Sequence, residues 1–335
     1  MLGENENVEA DGINVVTKFE DFQLDAVNKV VGSALTSTNL GVSNDENAVL
    51  YANLSADGEV IGLTLEGADE DNLLSVDRGV QNGGVFIGQD DDGNDEKWRA
   101  GDARYYIWRE NDGYGFVSRP RDQNEVGLVN NRTRGWNYQA FGVWEKDPGA
   151  GDSYITAASF GSEVTPEAVF NNLALGNVGN DAKYTGIFNG VLNFLDNNNN
   201  NQQTTYLTKG DIDIEVDFDA STFDLGTSNE EYGALNNNTG SVTWTNQNDD
   251  GVDFSLAANL IPFNAANGSF DDNNLLFMDI NDPNLMGTGR IAGKFFGPNA
   301  EEIGGTFDVR DNGANQNMIH IGAFGAAEVN INGVP

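Results

Sequence analysis

The residues best suited to recognition lie between Lys97 and Trp144. This segment contains seven arginines and four of the 5 tryptophans of the 335-residue chain. Arginine stacks on aromatic rings and forms bidentate pairs with carboxylates, and such contacts are common at the centres of protein interfaces. We therefore expect a ligand- or partner-binding site that comprises Trp108, Arg109, Tyr114, Arg119, Arg121, Arg132 and Arg134. The alternative is structural: the aromatic residues form a domain core, and the arginines pair with the surplus of acidic residues.

The sequence offers little that could support catalysis. It has no cysteine and a single histidine, His320. A serine–histidine–aspartate site would need a nucleophile beside that histidine, and no Gly-x-Ser-x-Gly motif is present. His320 alternates with Met318 and Gly322 in a strand pattern, which predicts a solvent-facing or barrel-lining position. We expect a protein that is not an enzyme.

Two acidic segments are candidates for contact with a divalent cation. Asp90, Asp92 and Asn94 lie in a short loop and are candidate calcium ligands, although the flanking sequence lacks the pattern of an EF-hand. In the segment DIDIEVDF at residues 211–218, acidic and apolar residues alternate, which predicts a strand with one face on the core and the other in water. Alternate carboxylates along a strand lie ~7 Å apart and do not converge on one cation. We expect solvated carboxylates in this strand.

Composition restricts the class of partner. The chain has 53 acidic and 17 basic residues, a formal net charge of −36, which repels nucleic-acid backbones and anionic lipids. We therefore expect no nucleic-acid partner, and we interpret the charge as suited to a salty or extracellular setting. The longest apolar runs are too short for a membrane-spanning helix. The first residues lack the basic start and apolar run of a secretory signal, which leaves two alternatives, a removed segment or another export route.

The first half of the chain predicts one helix followed by many strands. Apolar residues between Phe22 and Leu35 fall roughly on one face of a helix at residues 19–35. From residue 48 onward, short alternating segments separated by polar turns predict β-hairpins. We divide the chain into an extension with the helix at residues 1–47, a β-rich domain at 48–165, a linker at 166–180 and a second β domain at 181–330.

The second β domain is predicted to be a barrel. Besides the acidic strand, we expect strands around residues 184–194, 241–245, 252–260, 289–296, 304–309 and 318–324. About eight strands suit a small closed barrel whose interior is filled by side chains. In GKFFGPNAEEIGGTF at residues 293–307, the Gly-Pro-Asn sequence predicts a corner, and Glu301 and Glu302 predict a short exposed turn before the next strand.

Four sequence blocks in this domain resemble one known family. They are KYTGIFNG at 183–190, DIDIEVDF at 211–218, GKFFGPNAEEIGGTF at 293–307 and HIGAFGAAE at 320–328. In order and approximate spacing they are similar to the C-terminal β-barrel of transferrin-binding protein B and its wider family of surface lipoproteins and solute-binding proteins. Upstream, WNYQAFGVW at 136–144 and ASFGSEVTP at 158–166 resemble the end of the handle domain in such proteins.

The resemblance implies a mostly β fold, with a β-rich handle domain followed by an eight-stranded antiparallel β-barrel. It further implies an extracellular location or the outer-membrane surface of Gram-negative bacteria, a role in nutrient acquisition, and an outer-membrane transporter as a partner. Capture of iron or heme is typical of the family, and heme capture would make His320 a candidate axial ligand. No cofactor is assigned from the residues alone.

We therefore expect a non-catalytic binding protein that captures a host or environmental protein or a small ligand. Two alternatives stay open. The first is a secreted structural subunit of a surface coat, matrix or filament, which would form by self-assembly. The second is a carbohydrate-binding module, suggested by tryptophan and tyrosine residues on predicted strands.

Overall fold

Antiparallel β-strands dominate the computed structural model of the chain. The residues that it describes are 6–14, 20–23, 29–38, 41–42, 47–54, 60–66, 74–77, 85–89, 95–100, 105–110, 113–118, 136, 138–146, 154–161, 165–175, 181–196, 202–235, 242–246, 254–279, 286–311 and 318–329. Within these residues, no helix combines the length and the apolar character needed to cross a membrane.

The strands of the first half form two antiparallel sheets. They are β1 (Glu6–Asn14), β2 (Glu20–Gln23), β3 (Lys29–Thr38), β4 (Gly41–Val42), β5 (Asn47–Leu54), β6 (Val60–Glu66), β7 (Leu74–Asp77), β8 (Val85–Gln89), β9 (Asp95–Ala100), β10 (Tyr105–Glu110), β11 (Gly113–Ser118), β12 (Gln139–Lys146) and β13 (Tyr154–Gly161). One sheet has the order β1-β5-β6-β7. The other, here called the handle sheet, has the order β2-β3-β13-β12-β11-β10-β9-β8, with β4 paired to β3.

The helix predicted at residues 19–35 is wrong. The residues that the structure describes in this segment belong to β2 and β3. β3 pairs with β13 from Val31 to Thr38, and Leu35 lies opposite Ala157. Val30 and Val31 are β-branched and fit a strand well. This ladder joins residues that are far apart in the chain. Its hydrogen bonds stabilise the strand more than the irregular helical pattern of this segment would stabilise a helix.

A helix, α1 (Glu167–Leu175), lies within the segment that was predicted to be a linker. Its residue Phe170 is buried and contacts three other phenylalanines at one end of the second domain. The ring-centroid distances are 6.4 Å to Phe218, 5.7 Å to Phe263 and 5.5 Å to Phe295. Helix α1 therefore covers this end of the barrel with its apolar side.

The second half forms the predicted eight-stranded antiparallel barrel. Its strands are β14 (Asp181–Asp196), β15 (Gln202–Asp217), β16 (Thr222–Leu235), β17 (Val242–Asn246), β18 (Phe254–Pro262), β19 (Ser269–Asp279), β20 (Met286–Phe296), β21 (Glu302–Asp311) and β22 (Met318–Glu328). The closed ring runs β15-β14-β22-β21-β20-β19-β18-β16 and returns to β15. β17, which covers the strand expected at residues 241–245, pairs with β16 beyond this ring. β16 and β19 belong to the ring but were not among the expected strands.

The barrel interior is filled, as expected for this size of barrel. The inward-facing aromatic residues are buried and include Phe188, Phe254, Phe277, Phe295, Phe307 and Phe324. The rings of Phe254 and Phe277 stack at 5.6 Å, nearly parallel. In β15 the apolar residues Ile212 and Ile214 are buried while Asp213 and Glu215 are exposed, which confirms the alternation read from the sequence. The interior is thus a close-packed core.

Candidate functional site

The handle sheet packs directly on the outer surface of the barrel. Strands β12 and β13 lie against β14, β21 and β22. The buried apolar side chains of this interface are Trp136, Phe141, Val143 and Ala157 on the handle side and Ile187, Val191, Leu207, Ile319, Ile321, Ala323 and Ala327 on the barrel side. β22 is buried on both faces, by the barrel core and by the handle sheet. This explains why the sequence of β22 is apolar almost throughout.

Two glycines make room for the handle at the centre of this interface. Gly304 of β21 and Gly325 of β22 lie opposite each other in the register. A Cβ atom on Gly304 would overlap Oε1 of Gln139, and one on Gly325 would overlap the ring of Phe141. The absence of both side chains therefore allows the first residues of β12 to approach the barrel backbone closely.

Polar contacts fix the handle sheet in this position. Hydrogen bonds between described residues cross the interface: Tyr138 N–H donates to Glu302 Oε2 (3.1 Å), Gln139 Nε2 donates to the carbonyl oxygens of Ile303 and Ala326 (3.3 Å each), and Thr165 Oγ1 donates to the carbonyl oxygen of Gly297 (2.8 Å). Glu302 is buried. The exposed turn predicted at Glu301 and Glu302 is therefore wrong for Glu302, because its carboxylate accepts the backbone N–H of the handle.

The Gly-Pro-Asn corner next to this contact has a tightly bonded backbone. Gly297 adopts a positive φ of 88°, and Ala300 one of 62°. Glu301 accepts hydrogen bonds of 2.8 Å from both the backbone N–H and the side-chain amide of Asn299. The Tyr184 hydroxyl donates to the carbonyl oxygen of Ala300 at 2.7 Å. The corner thus joins the end of the barrel to the edge of the handle interface.

A second glutamate lies beside this corner. The backbone N–H of Glu328 donates to the carbonyl oxygen of Glu301 at 2.8 Å. Glu328 is the exposed last residue of β22, but desolvation by the surrounding protein still raises its pKa above the usual range, and the negative charge of Glu301 raises it further. The surroundings of Glu328 therefore favour the neutral form of its carboxyl group over the ionised form.

His320 lines the barrel interior, which confirms one of the two positions expected for it. It is fully buried, and its Nε2 shares a hydrogen bond of 2.8 Å with Oγ1 of Thr208. Four phenylalanine rings surround it, Phe307 at 5.0 Å, Phe254 at 5.3 Å, Phe277 at 6.0 Å and Phe188 at 6.4 Å between centroids. Burial lowers the pKa of His320 to about 3. The imidazole is therefore neutral and inaccessible, and a heme would have to displace this packing to reach it.

The residues predicted to bind a ligand or partner are described only in part. The backbones of β10 and β11 form a hairpin in which Trp108 lies opposite Gly115 and Arg109 opposite Tyr114. The side chains of Trp108, Arg109 and Tyr114 lie outside the described residues, as do Arg119, Arg121, Arg132 and Arg134 and the candidate calcium ligands Asp90, Asp92 and Asn94. The binding site therefore stays a prediction.

One tryptophan of the same segment does have a described side chain. Trp136 is buried, and its ring lies 5.3 Å from that of Phe141 in an edge-to-face arrangement. Trp136 is thus a core residue of the handle–barrel interface, as the structural alternative expected for the aromatic residues. Among the described residues, no group of three or more His, Cys, Asp or Glu side chains is arranged to hold a metal ion.

The sequence did not identify Tyr138, Gln139 and Glu302 as interface residues. Two glycines, Gly304 and Gly325, could have indicated this interface, because each lies inside a barrel strand. A glycine inside a strand indicates the close approach of another backbone or side chain. The other signal was β22, whose two apolar faces require a cover on the outside of the barrel.

Comparison with known proteins assigns the barrel to a family. Residues 168–328 match the family model for the C-lobe and N-lobe β-barrels of transferrin-binding protein B. A search of curated proteins found no match.

Two solved structures are similar to the chain over most of its length. A transferrin-binding protein B mutant from Haemophilus parasuis Hp5 is 14% identical at a TM-score of 0.36, with 90% of this chain and 61% of that chain covered. Isotype 1 transferrin-binding protein B from serogroup B Neisseria meningitidis is 15% identical at a TM-score of 0.37, with 86% and 53% covered. This chain spans less than two thirds of either protein, and the family assignment rests on the match at residues 168–328.

Proposed function

We propose that this chain, whose barrel at residues 168–328 matches the β-barrel family of transferrin-binding protein B, is a non-catalytic binding protein on the cell surface or outside the cell. The family match is the observation that carries this proposal. The proposed role is nutrient acquisition, in which the protein captures a host or environmental protein, or a small ligand such as an iron compound, and delivers it to an outer-membrane transporter.

The packing of the barrel supports binding at an outer surface. Aromatic side chains fill the interior, and helix α1 covers one end of it. A ligand inside the barrel would have to displace this core at a high cost, since buried phenylalanine side chains each contribute roughly 3–5 kcal/mol to stability. The barrel therefore acts as a rigid platform, and the binding residues lie on its outside or on the handle.

The handle carries the candidate contact residues. The β10–β11 hairpin places Arg109 and Tyr114 as cross-strand neighbours, and Gly115 lies between Trp108 and Trp144 in the register. The handle sheet is fixed to the barrel by hydrogen bonds and a buried apolar cluster. A partner bound at this hairpin would thus contact a sheet that is anchored to the barrel through β12 and β13.

The non-catalytic part of the proposal is supported by His320. General acid–base catalysis requires a titratable group that can reach its substrate at a suitable pKa. The one histidine of the chain is enclosed by four phenylalanines, and its pKa is lowered to about 3 by burial. His320 can neither reach a substrate nor exchange a proton near neutral pH, and general acid–base catalysis needs both.

Binding measurements on the full chain test the proposal. Native mass spectrometry of the protein purified from its own source would reveal a retained small ligand, and biolayer interferometry would measure binding to iron-loaded and iron-free transferrin. We expect one of the two to give a specific complex. Trp108→Ala and Arg121→Ala should each weaken it by at least about 2 kcal/mol, roughly thirtyfold in Kd, if these residues are central to the interface.

Glu215→Gln is the matched control, because Glu215 is exposed on the barrel and pairs only with the exposed Lys183 in the described structure. It should leave binding unchanged. A protein that retains no ligand and binds neither form of transferrin, but forms large multimers, would contradict the proposal and favour the structural-subunit alternative. Binding restricted to glycans would favour the carbohydrate-binding module.

A further inference from the structure

The chain has very few soft electron-pair donors. It contains no cysteine, one histidine and 4 methionines, which are Met1, Met278, Met286 and Met318. His320 is enclosed in the barrel, and Met318 is 1% exposed in the same core. Met1 lies outside the described residues. Among those that the structure describes, Met278 and Met286 are therefore the thioethers that a dissolved ion can reach.

These two methionines are direct neighbours. Met278 of β19 and Met286 of β20 lie opposite each other in the register of the two strands. Their side chains are 38% and 44% exposed. The adjacent residues Phe277 and Gly287 face the barrel interior, so that both methionines point outward. The pair is thus an exposed cross-strand pair on the outer surface of a rigid barrel.

The spacing of a cross-strand pair allows two thioethers to share one ion. Directly opposite residues in an antiparallel sheet have Cβ atoms roughly 4.5–5.5 Å apart. Methionine has three rotatable side-chain bonds and a polarisable sulfur. Both sulfurs can therefore turn toward a common point between the strands without any movement of the backbone.

Thioether donors select for soft metal ions. Methionine sulfur favours Cu(I), whereas carboxylates, carbonyl groups and water suit Mg²⁺ and Ca²⁺. The formal net charge of −36 raises the concentration of cations near the surface and assists the encounter. Coordination uses a lone pair of each sulfur and changes no oxidation state.

We propose that Met278 and Met286 form a binding site for one soft monovalent metal ion of the Cu(I) class. The site is on the barrel and not on the handle, so it does not depend on the proposed capture of a protein or iron compound. Its ligands are two neutral sulfurs, which distinguishes it from non-specific binding to the many carboxylates of the surface.

Silver(I) is a suitable probe because it resembles Cu(I) and is stable in air. The full chain would be labelled with ¹³C at the methionine methyl groups and titrated with silver nitrate in chloride-free buffer. We expect the Met278 and Met286 methyl resonances to shift together and to saturate at one ion per chain. The Met318 resonance should not move, and native mass spectrometry should show a single silver adduct that survives excess Mg²⁺.

Conservative variants test the contribution of each sulfur. Met278→Leu and Met286→Leu preserve apolar volume at exposed positions and should leave the melting temperature unchanged. Each should abolish the single silver adduct, whereas Glu215→Gln should retain it. The proposal would be overturned by a shift of one methyl group only, by unchanged affinity in either leucine variant, or by displacement of silver with Mg²⁺, which would indicate binding to carboxylates.

Discussion

The backbone N–H of Tyr138 donates a hydrogen bond of 3.1 Å to Oε2 of Glu302, a residue 164 positions later in the chain. The bond joins the residue before β12 of the handle sheet to the first residue of the barrel strand β21. Glu302 is buried at this point. The two halves of the chain are thus connected by a side-chain acceptor that is removed from water, which makes the bond sensitive to substitution.

Replacement of Glu302 should destabilise the protein. Glu302→Ala removes a buried acceptor of the Tyr138 N–H, so the free energy of unfolding should fall by about 1–3 kcal/mol. Glu302→Gln keeps an oxygen acceptor, so its free energy of unfolding should fall by less. Urea unfolding and hydrogen exchange of the Tyr138 amide measure both effects. An exposed-site control, Glu215→Gln, should change the stability by less than about 1 kcal/mol; an equal loss in the control would contradict the role of Glu302.

The paired glycines of β21 and β22 predict a second effect on handle attachment. Gly304→Ala and Gly325→Ala place a methyl group where Gln139 and Phe141 lie, and such overpacking costs about 1–3 kcal/mol. Thermal unfolding and limited proteolysis between the two halves would detect the loss.

Gly226 provides the matched control for these variants. It also lies in a barrel strand, but a Cβ built on it meets no atom within 4 Å. Gly226→Ala should therefore be neutral or slightly stabilising, since it reduces the freedom of the unfolded chain. Equal melting temperatures for all three variants would show that the handle does not depend on the two interface glycines.

His320 should make the barrel sensitive to acid. Its folded-state pKa is lowered from 6.5 to about 3 by burial, so protonation favours the unfolded state. The stability is full above pH 6.5 and falls as the pH decreases toward 3, by up to about 5 kcal/mol for this group, because each pKa unit corresponds to about 1.4 kcal/mol. Glutamine does not titrate. Between pH 7.5 and 4.5, the free energy of unfolding of His320→Gln should therefore fall by about 2.5 kcal/mol less than that of the unsubstituted protein.

Urea unfolding of both proteins at the two pH values gives this difference directly. The many carboxylates of the chain titrate in both proteins and cancel in the comparison. Should His320→Gln fail to fold, hydrogen exchange of β22 in the original protein at the two pH values replaces it. A pH profile that is parallel for both proteins would contradict the assignment of acid sensitivity to His320.

Glu328 should have an opposite and smaller effect. Desolvation by the surrounding protein and the nearby charge of Glu301 raise the pKa of this exposed residue above the ordinary value of 4.5, so ionisation of Glu328 opposes folding at neutral pH. This penalty disappears as the pH falls through the raised pKa. Glu328→Gln should therefore raise the melting temperature at pH 7 and have little effect at pH 4. Calorimetry at both values tests the prediction, and a lower melting temperature at pH 7 would contradict it.

The sequence predicted the barrel well where its strands are regular. DIDIEVDF alternates without interruption, and β15 shows that alternation in its burial. β16 and β19 were missed because each has an irregular register, near Asn229 in β16 and between Asp272 and Leu275 in β19. A bulge shifts the following residues to the opposite face and destroys the period-two pattern. Local alternation therefore fails where the strand itself is irregular.

The errors outside the barrel have a different cause. Residues 19–35 show an irregular helical pattern, yet the described part of the segment is held as strands by pairing with β13. Helix α1 is short and follows Pro166, and its one buried aromatic residue, Phe170, is stabilised by contacts with the barrel end. The handle–barrel interface likewise depends on residues more than a hundred positions apart. Such tertiary contacts are absent from any local window of sequence.

The closure of the barrel between β14 and β22 also constrains the order of events when the chain is made. β14 pairs on one side with β22, as in Tyr184 opposite Glu328. A polypeptide that emerges amino-terminus first cannot complete the ring, or cover its outer face with the handle strands β12 and β13, until β22 has emerged. Pairing over such a separation is slow, because loop-closure entropy is lost before the contacts form. The barrel therefore cannot close until β22 has been synthesised. Export machinery that acts before this point would receive a chain that is not yet folded into a closed barrel and can pass through a narrow channel.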